Sequence, residues 1–512
     1  MIYQIKKRNY FQLWTQKRDV KMKLKSKNNK YENNASLVFK IIYLMLGFFN
    51  YNSLTANSTL LTYCSYGVTL IGVCYFLYRI VHFNKYKKSK GIIILFLFFL
   101  SYIVSSVVTI HYGVVSNIKA LIWLGIQFFL LYAYDNDRTV DKIKKEGIII
   151  GWIIIVYTFV MSLMGIVCLA LMYNNYQVVN GVATITGFLW NRLWGFYSDP
   201  NYGAVISIIS VLLSFFYIMK YKRTGITFLL IINIITEMFY VAFSDSRTAQ
   251  VSMVAMFIWA TVIFARKVNF IQVLKPILRF VVICVITITV VVSSFVSIRG
   301  LTTIGNMYLS SVTNPNSSLF YWFDAEKNDN HISNGDVTED LEINSSVIGR
   351  PIEDMGSDGG DISNRRFAIW QSAVEVFKTK AVTGVSFRNI IPYALEYLPK
   401  TYIVNNDQSS FASMHNLFMD VLVSQGLLGI SLFIIFVVLV LVTVFKKLYK
   451  LNKQDYIFYA SILSVIVPIF VSSFFYSEIL YINTSGSVIF WIALGYVMNL
   501  SDKLKEEKIC VK

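Results

Sequence analysis

The 512-residue sequence predicts an all-α polytopic membrane protein of about 12 transmembrane helices, with both termini cytoplasmic and a large outer loop between spans nine and ten. Three observations carry that prediction. Only 15% of the residues are charged and 55% are hydrophobic, whereas a soluble domain carries roughly 25% charge. The apolar residues fall into runs of about 18–22, each long enough to cross a hydrocarbon core as a helix. Lysine and arginine gather in every second connection between those runs, as they do in cytoplasmic loops. A soluble globular enzyme is excluded. Barrel strands are excluded too, because the runs are too long and too uniformly apolar.

Residues 1–35 form a basic cytoplasmic tail with Lys6, Lys7, Arg8, Lys17, Arg18, Lys21, Lys23, Lys25, Lys27 and Lys30. It is too long and too polar for a cleaved signal peptide. The net charge of +18 comes from this tail and the short basic loops. Membrane lipids, not nucleic acid, are the implied partner. Spans one to nine occupy 36–297, near 36–50, 58–81, 91–110, 118–134, 147–172, 202–219, 225–243, 248–265 and 276–297. The first is short and holds Lys40. Connections 82–90, 135–146, 220–224, 266–275 and 446–454 are basic and are placed inside. Connections 51–57, 111–117, 173–201, 244–247 and 476–479 are poor in lysine and are placed outside.

Asp135-Asn136-Asp137 imitates a nucleotide-sugar metal motif, but no α/β domain accompanies it, and it reads as a solvated loop. Cys64, Cys74, Cys168, Cys284 and Cys510 lack metal-ligand spacing and read as free thiols. No metal or cofactor is implied.

Residues 298–413 form the large extracytoplasmic loop. Its middle, 324–361, is rich in Asp, Glu, Asn, Ser and Gly and reads as a mobile acidic lid. After it, Trp370, Val374, Phe377 and Ala381 repeat with helical spacing, which places an interfacial helix near 365–380. Spans ten to twelve fill 414–499, near 414–445, 457–475 and 480–499, and 500–512 is a cytoplasmic tail.

Positive charge is selected against outside, so the outer arginines are informative: Arg192, Arg247, Arg299, Arg350, Arg365, Arg366 and Arg388. Guanidinium suits bidentate recognition of phosphate. Arg192 precedes span six, where Asp199 is a candidate N-cap and Pro200 takes the first helical position. It reads either as a snorkelling loop arginine or as an anion ligand. Arg247 follows Asp245 and Ser246, either of which can cap span eight. A cation in a first helical turn opposes the dipole, so Glu237, Asp245 or a ligand should compensate it. His415, Met419, Leu422, Gly426 and Gly429 fall on one helical stripe, so His415 heads the packing face of span ten, as a structural or a catalytic residue. Spans six, eight and ten each begin outside beside an arginine or histidine. That suggests a site for a diphosphate.

At these residues the chain resembles the O-antigen ligase/polymerase superfamily, which includes Wzy-type polysaccharide polymerases and lipopolysaccharide O-antigen ligases. His415-Asn416, nine residues, Gly426, two residues and Gly429 are similar to its His-Asn signature. Arg192, ten residues and Gly203, with Asp199, Pro200 and Asn201 between, resemble its arginine–glycine motif. Ser246-Arg247-Thr248 is a third match. Arg366-Phe-Ala-Ile-Trp370 followed by 383–387 is similar to its arginine–tryptophan helix and Gly-Val-Gly turn, with Ser386 standing for the second glycine.

The resemblance implies a metal-independent, cofactor-free glycosyltransferase of the plasma membrane, acting on the extracytoplasmic side. Its donor is an oligosaccharide on a polyprenyl diphosphate, built into capsular polysaccharide, exopolysaccharide or O-antigen. A flippase and a chain-length regulator are implied as partners. Arg192, Arg247 and Arg366 would bind the diphosphate and His415 would act on the acceptor hydroxyl. Asn416, Asp199, Asn201, Gly426 and Gly429 would support them. A ligase that passes finished glycan to a lipid or protein shares these motifs. A flippase is the alternative from another class, but transporters place charge near the midplane, where Glu237 is the main acid.

Overall fold

The structure, a computed structural model, describes residues 34–264 and 365–504 apart from a few isolated positions, together with Glu32 and single residues between 285 and 300. Most of the basic tail, most of predicted span nine, the segment 324–361, Arg299, Arg350, Cys284 and Cys510 lie outside the described residues.

The chain runs through α1 (Asn34–Asn50), α2 (Thr59–Val81), α3 (Ile92–Val108), α4 (Val115–Tyr132) and α5 (Val140–Ala170). After a small sheet come α6 (Pro200–Tyr221), α7 (Thr224–Phe243) and α8 (Arg247–Phe264). Then follow α9 (Arg366–Thr379), α10 (Ile390–Tyr397), α11 (Leu417–Leu448), α12 (Lys453–Ser472) and α13 (Ser485–Lys503). Among the described residues, seven helices, α2, α4, α5, α6, α7, α11 and α12, are long and apolar enough to cross a membrane; α1 and α3 are apolar but shorter.

The surface of the bundle agrees. Leu60, Leu70, Val107, Phe228, Leu229 and Val438 are large, apolar and exposed. A ring of such side chains is a liability in water and is required in lipid. The chain is a polytopic membrane protein. The helix α6 packs on α7 and α8, and α13 on α12 and the end of α4. Both are covered on nearly every side, and small residues such as Ser487 and Gly495 let neighbours approach. Gly495 lies against the backbone of Tyr132 at the end of α4, so a side chain there would collide with it.

Four expectations are corrected. The chain is not all-α: β1 (Asn174–Val179), β2 (Val182–Leu189) and β3 (Arg192–Gly195) form an antiparallel sheet in the 173–201 connection. Its threonines, valines and aromatics suit strands once the chain has left the bilayer. The sheet is tied to the α1–α2 connection by Ser53 N–H donating to Phe196 O at 2.8 Å and Ser198 N–H to Tyr51 O at 3.0 Å. Second, α5 begins at Val140, inside the stretch read as loop. Third, Asp135 is not solvated; it is buried and pairs with Lys85 at 3.0 Å. Next to it Arg138 pairs with Glu146 at 2.7 Å, both buried. Lys40 is likewise buried, with its ammonium over the Tyr496 ring. The fourth correction concerns α11 and belongs to the site.

Candidate functional site

The α7–α8 turn and the start of α6 position the first two arginines. Asp199 Oδ1 accepts from Asn201 N–H at 2.7 Å and Tyr202 N–H at 3.4 Å, so it caps α6, with Pro200 at the first helical position. Asn201 Oδ1 then accepts from Arg192 Nη2 at 3.2 Å, while Arg192 Nε donates to Ser244 O at 2.9 Å. Arg192 therefore bridges the α6 start to the turn that carries Arg247. It is not a free snorkelling side chain. Ser246 caps α8 through the Ala249 N–H at 3.1 Å, and Arg247 is exposed in the first turn. Glu237 does not compensate that arginine: it is buried among α5, α6 and α7, accepting from Ser162 Oγ at 2.6 Å.

The second half of the site is built on α9 and the start of α11. Arg366 opens α9, and Trp370 one turn later donates from its indole to Met414 O at 3.1 Å. This bond holds the Arg366 end of α9 against the His415 turn. The face of α9 turned to the protein is Ile369, Ser372, Ala373 and Val376. The stripe read from sequence is the more open one, with Val374 exposed, and Phe367 adds to it. Burial, and then the nearby charge of Arg247, lower the basicity of Arg366. Burial, and then the charge of Arg366, hold His415 down at about 4. The Trp370–Met414 bond brings Arg366 and His415 into one neighbourhood, and Arg247 is near enough for its charge to act on Arg366.

His415 does not sit on the helix, as its stripe implied. The helix α11 starts at Leu417, and His415 precedes it in a left-handed conformation with φ 49°. Asn416 is the cap: its Oδ1 accepts from Phe418 and Met419 N–H at 3.0 and 3.2 Å, and its Nδ2 donates to Phe474 O at 3.1 Å. Asp420 Oδ1 accepts from Met414 N–H at 2.7 Å, and its other oxygen accepts from the Ser477 hydroxyl. Two carboxamide or carboxylate side chains thus fix the histidine-bearing turn from both sides.

The stripe is also broken further down. Gly426 has φ 60° and interrupts α11. The turn 381–386 fills the break: Val385 and Ser386 N–H donate to Val423 O and Ser424 O at 2.9 Å each, and Leu427 N–H donates to Ala381 O at 2.8 Å. A β-carbon on Gly426 would lie 2.5 Å from Ala381 O and Val382 O, so only glycine fits. Gly429 lies one turn beyond, against the Gln425 side chain. Ser386 adopts φ 66°, the conformation for which glycine is suited. Its hydroxyl donates to Asn117 Oδ1 and lies 3.2 Å from Ser106 Oγ, which compensates the backbone. The turn forms despite the serine.

Reasoning from sequence missed Asp420, Tyr476 and Glu478. An acid one turn into span ten was a visible signal for the first. The other two lay in a short connection with no motif. Arg388 lies over the Trp123 ring at 5.6 Å, near enough for its charge to act on Tyr51.

The described residues thus form a polytopic membrane bundle with arginines and a histidine at one end and a short helix clamped over a broken span. Residues 228–434 match the family model described as Wzy_C, O-Antigen ligase. The matched stretch includes Arg247, Arg366, His415, Asn416, Gly426 and Gly429, whereas Arg192 and Asp199 precede it. Members of the family are glycan-transferring ligases and polymerases of lipid-linked polysaccharide assembly. No curated protein matches the chain.

Proposed function

We propose that the protein polymerises oligosaccharide units carried on polyprenyl diphosphate, at the outer face of the plasma membrane. The observation that carries this reading is the adjacency of Arg366 to His415 on a turn clamped by Asn416 and Asp420. In the proposed step the acceptor O–H gives its proton to His415 while its oxygen attacks the anomeric carbon. The bond from that carbon to the diphosphate breaks, and the electron pair leaves with the diphosphate. Arg247 and Arg366 take up the developing negative charge, and Arg192 braces their scaffold through Ser244. His415 is neutral near pH 7, so its lone pair is available. Bound diphosphate would offset the Arg366 charge and raise the basicity of His415, coupling base strength to donor binding.

The test is the size of cell-surface polysaccharide in strains carrying His415→Ala or Arg192→Ala at matched protein levels. Loss of polymer with persistence of a single exposed lipid-linked unit is the expected result. Full-length polymer retained on its carrier would favour the ligase reading, which the name of the matched family also keeps open. An unexposed unit would favour a flippase. Unchanged polymer in both strains would refute the assignment of the site.

A further inference from the structure

The connection 473–484 between α12 and α13 lies against the histidine turn and has no role in the chemistry above. It is bolted there by Leu417 N–H to Ser473 O at 2.8 Å, Asn416 Nδ2 to Phe474 O at 3.1 Å, and the Ser477 hydroxyl to Asp420. Its successive side chains divide the site between them. Phe475 lies under the Arg366 guanidinium at 5.6 Å, and the Tyr476 ring is 6.4 Å from the His415 ring. From the α1–α2 connection, Tyr51 stacks at a tilt on Tyr202 with ring centroids 5.0 Å apart.

Tyr51 and Tyr476 are both partly open, and neither hydroxyl makes a hydrogen bond among the described residues. Behind them Glu478 is buried, with one oxygen on Ser472 Oγ at 2.6 Å and the other without a partner. Tyr202 Oη and Ser485 Oγ are also buried without partners. Buried polar atoms are nearly always hydrogen-bonded, so a group of orphans beside one site calls for an explanation. Gly486 leaves room for the Glu478 carboxyl, which a β-carbon there would displace. Burial, and then the charges of Glu478 and Asp199, hold Tyr51 up at about 12. Burial, with Asp199, Tyr51 and Glu478 after it, raises Tyr476 as well. Both phenols are thus donors at physiological pH.

The arginines define a place for an anion. Ring faces, phenol donors and carboxyl acceptors define a place for a neutral polyol. We infer that Tyr476 and Tyr51 form the acceptor-sugar subsite, binding pyranose hydroxyls next to His415. Glu478 is the positioning residue behind the pair. This rests on the glycosyl-transfer reading and adds where the acceptor lies.

The experiment uses the full chain in lipid nanodiscs and two probes: undecaprenyl diphosphate alone, and the free oligosaccharide cleaved from the lipid-linked unit of the host. Tyr476→Phe and Tyr51→Phe keep the ring and remove only the hydroxyl, so folding is not at issue. Each is expected to weaken oligosaccharide binding about tenfold, about 1.4 kcal/mol, and to leave the diphosphate probe unchanged. Tyr476→Ala is expected to weaken it further. Arg366→Ala is expected to do the reverse. Glu478→Gln is expected to raise the KM for acceptor without lowering diphosphate binding. Oligosaccharide binding that ignores the tyrosine variants, or falls together with diphosphate binding, overturns the subsite. If the unaltered protein binds neither probe, the glycosyl-transfer reading fails first. If it binds the diphosphate in an Arg366-dependent way but never the sugar, only the subsite fails.

Discussion

At the scale of single residues, the pairing of His415 with Arg366 gives a pH prediction with a definite sign. The imidazole lies at about 4, depressed by burial and then by the guanidinium. A general base works only when deprotonated, so activity is lost as pH falls through its pKa. Arg366→Gln removes the cation and keeps most of the burial, so the pKa rises part of the way back towards 6.5. The acid limb of the pH–rate profile should move to higher pH, on top of a fall in rate from lost diphosphate binding. An acid limb that stays put would show that the two side chains do not communicate. Ser386 offers a second test. Ser386→Ala keeps the unfavourable φ and loses the bond to Asn117, whose Oδ1 still accepts from the Tyr102 hydroxyl at 2.9 Å, a cost of about 0.5–1.5 kcal/mol. Ser386→Gly loses the same bond but relieves the backbone. Thermal denaturation in detergent should therefore rank unaltered protein above Ser386→Gly, and Ser386→Gly above Ser386→Ala. Much at this scale was legible from sequence. Asp199 before Pro200 signalled a cap, and the outer arginines stood out against the charge bias. The partners were not legible, because Ser244 for Arg192 and Met414 for Trp370 are long-range neighbours that only packing creates.

At the scale of elements, the apolar runs of about 18–22 residues gave helices with ends good to several residues. Two elements departed from that pattern for identifiable reasons. The 173–201 sheet is short, and its strands are recognisable only once the chain is known to have left the bilayer. The stripe through His415, Gly426 and Gly429 has helical spacing, yet the glycine marks a break filled by another segment. Glycine on a membrane helix serves close packing in either case, so spacing alone does not separate a smooth face from an interruption. The break makes its own prediction. Gly426→Ala puts a β-carbon 2.5 Å from Ala381 O and in a conformation, φ 60° and ψ −155°, that costs an L-residue about 1–3 kcal/mol. The turn 381–386 must then leave the break, and with it α9 and Arg366 lose their seat. Membrane insertion should survive, because the apolar length of α11 is unchanged. Activity should be lost, and protease accessibility of the 381–386 segment should rise in isolated membranes. Normal protection of that segment in Gly426→Ala would mean that the clamp does not depend on the glycine.

At the scale of the whole molecule, the decisive question is which end of the bundle faces out. The bundle has two chemically distinct ends. One carries His415, Arg366, Arg247 and the small sheet; the other buries Lys40, Arg79, Arg138, Asp135 and Glu146. Arg79 there binds the carbonyls of Phe129 and Ala133 at 2.6 and 3.1 Å, at the end of α4. The lysine-rich connections adjoin this second end, and on the retention of positive charge in the cytoplasm we propose that it faces inside. The orientation decides whether the proposed chemistry can meet a lipid-linked unit after its export. Gln177→Cys, exposed on β1, should react with a membrane-impermeant thiol reagent in intact cells. Lys88→Cys, exposed in the 82–90 connection, should react only after the membrane is permeabilised. The native cysteines, Cys64, Cys74, Cys168, Cys284 and Cys510, are all replaced by serine first. The opposite labelling pattern would turn the arginine cluster towards the cytoplasm. A polymerase fed by exported units could not work in that orientation. The acceptor and donor would then have to be sought on the cytoplasmic leaflet, and the charge bias of every loop would need a different cause.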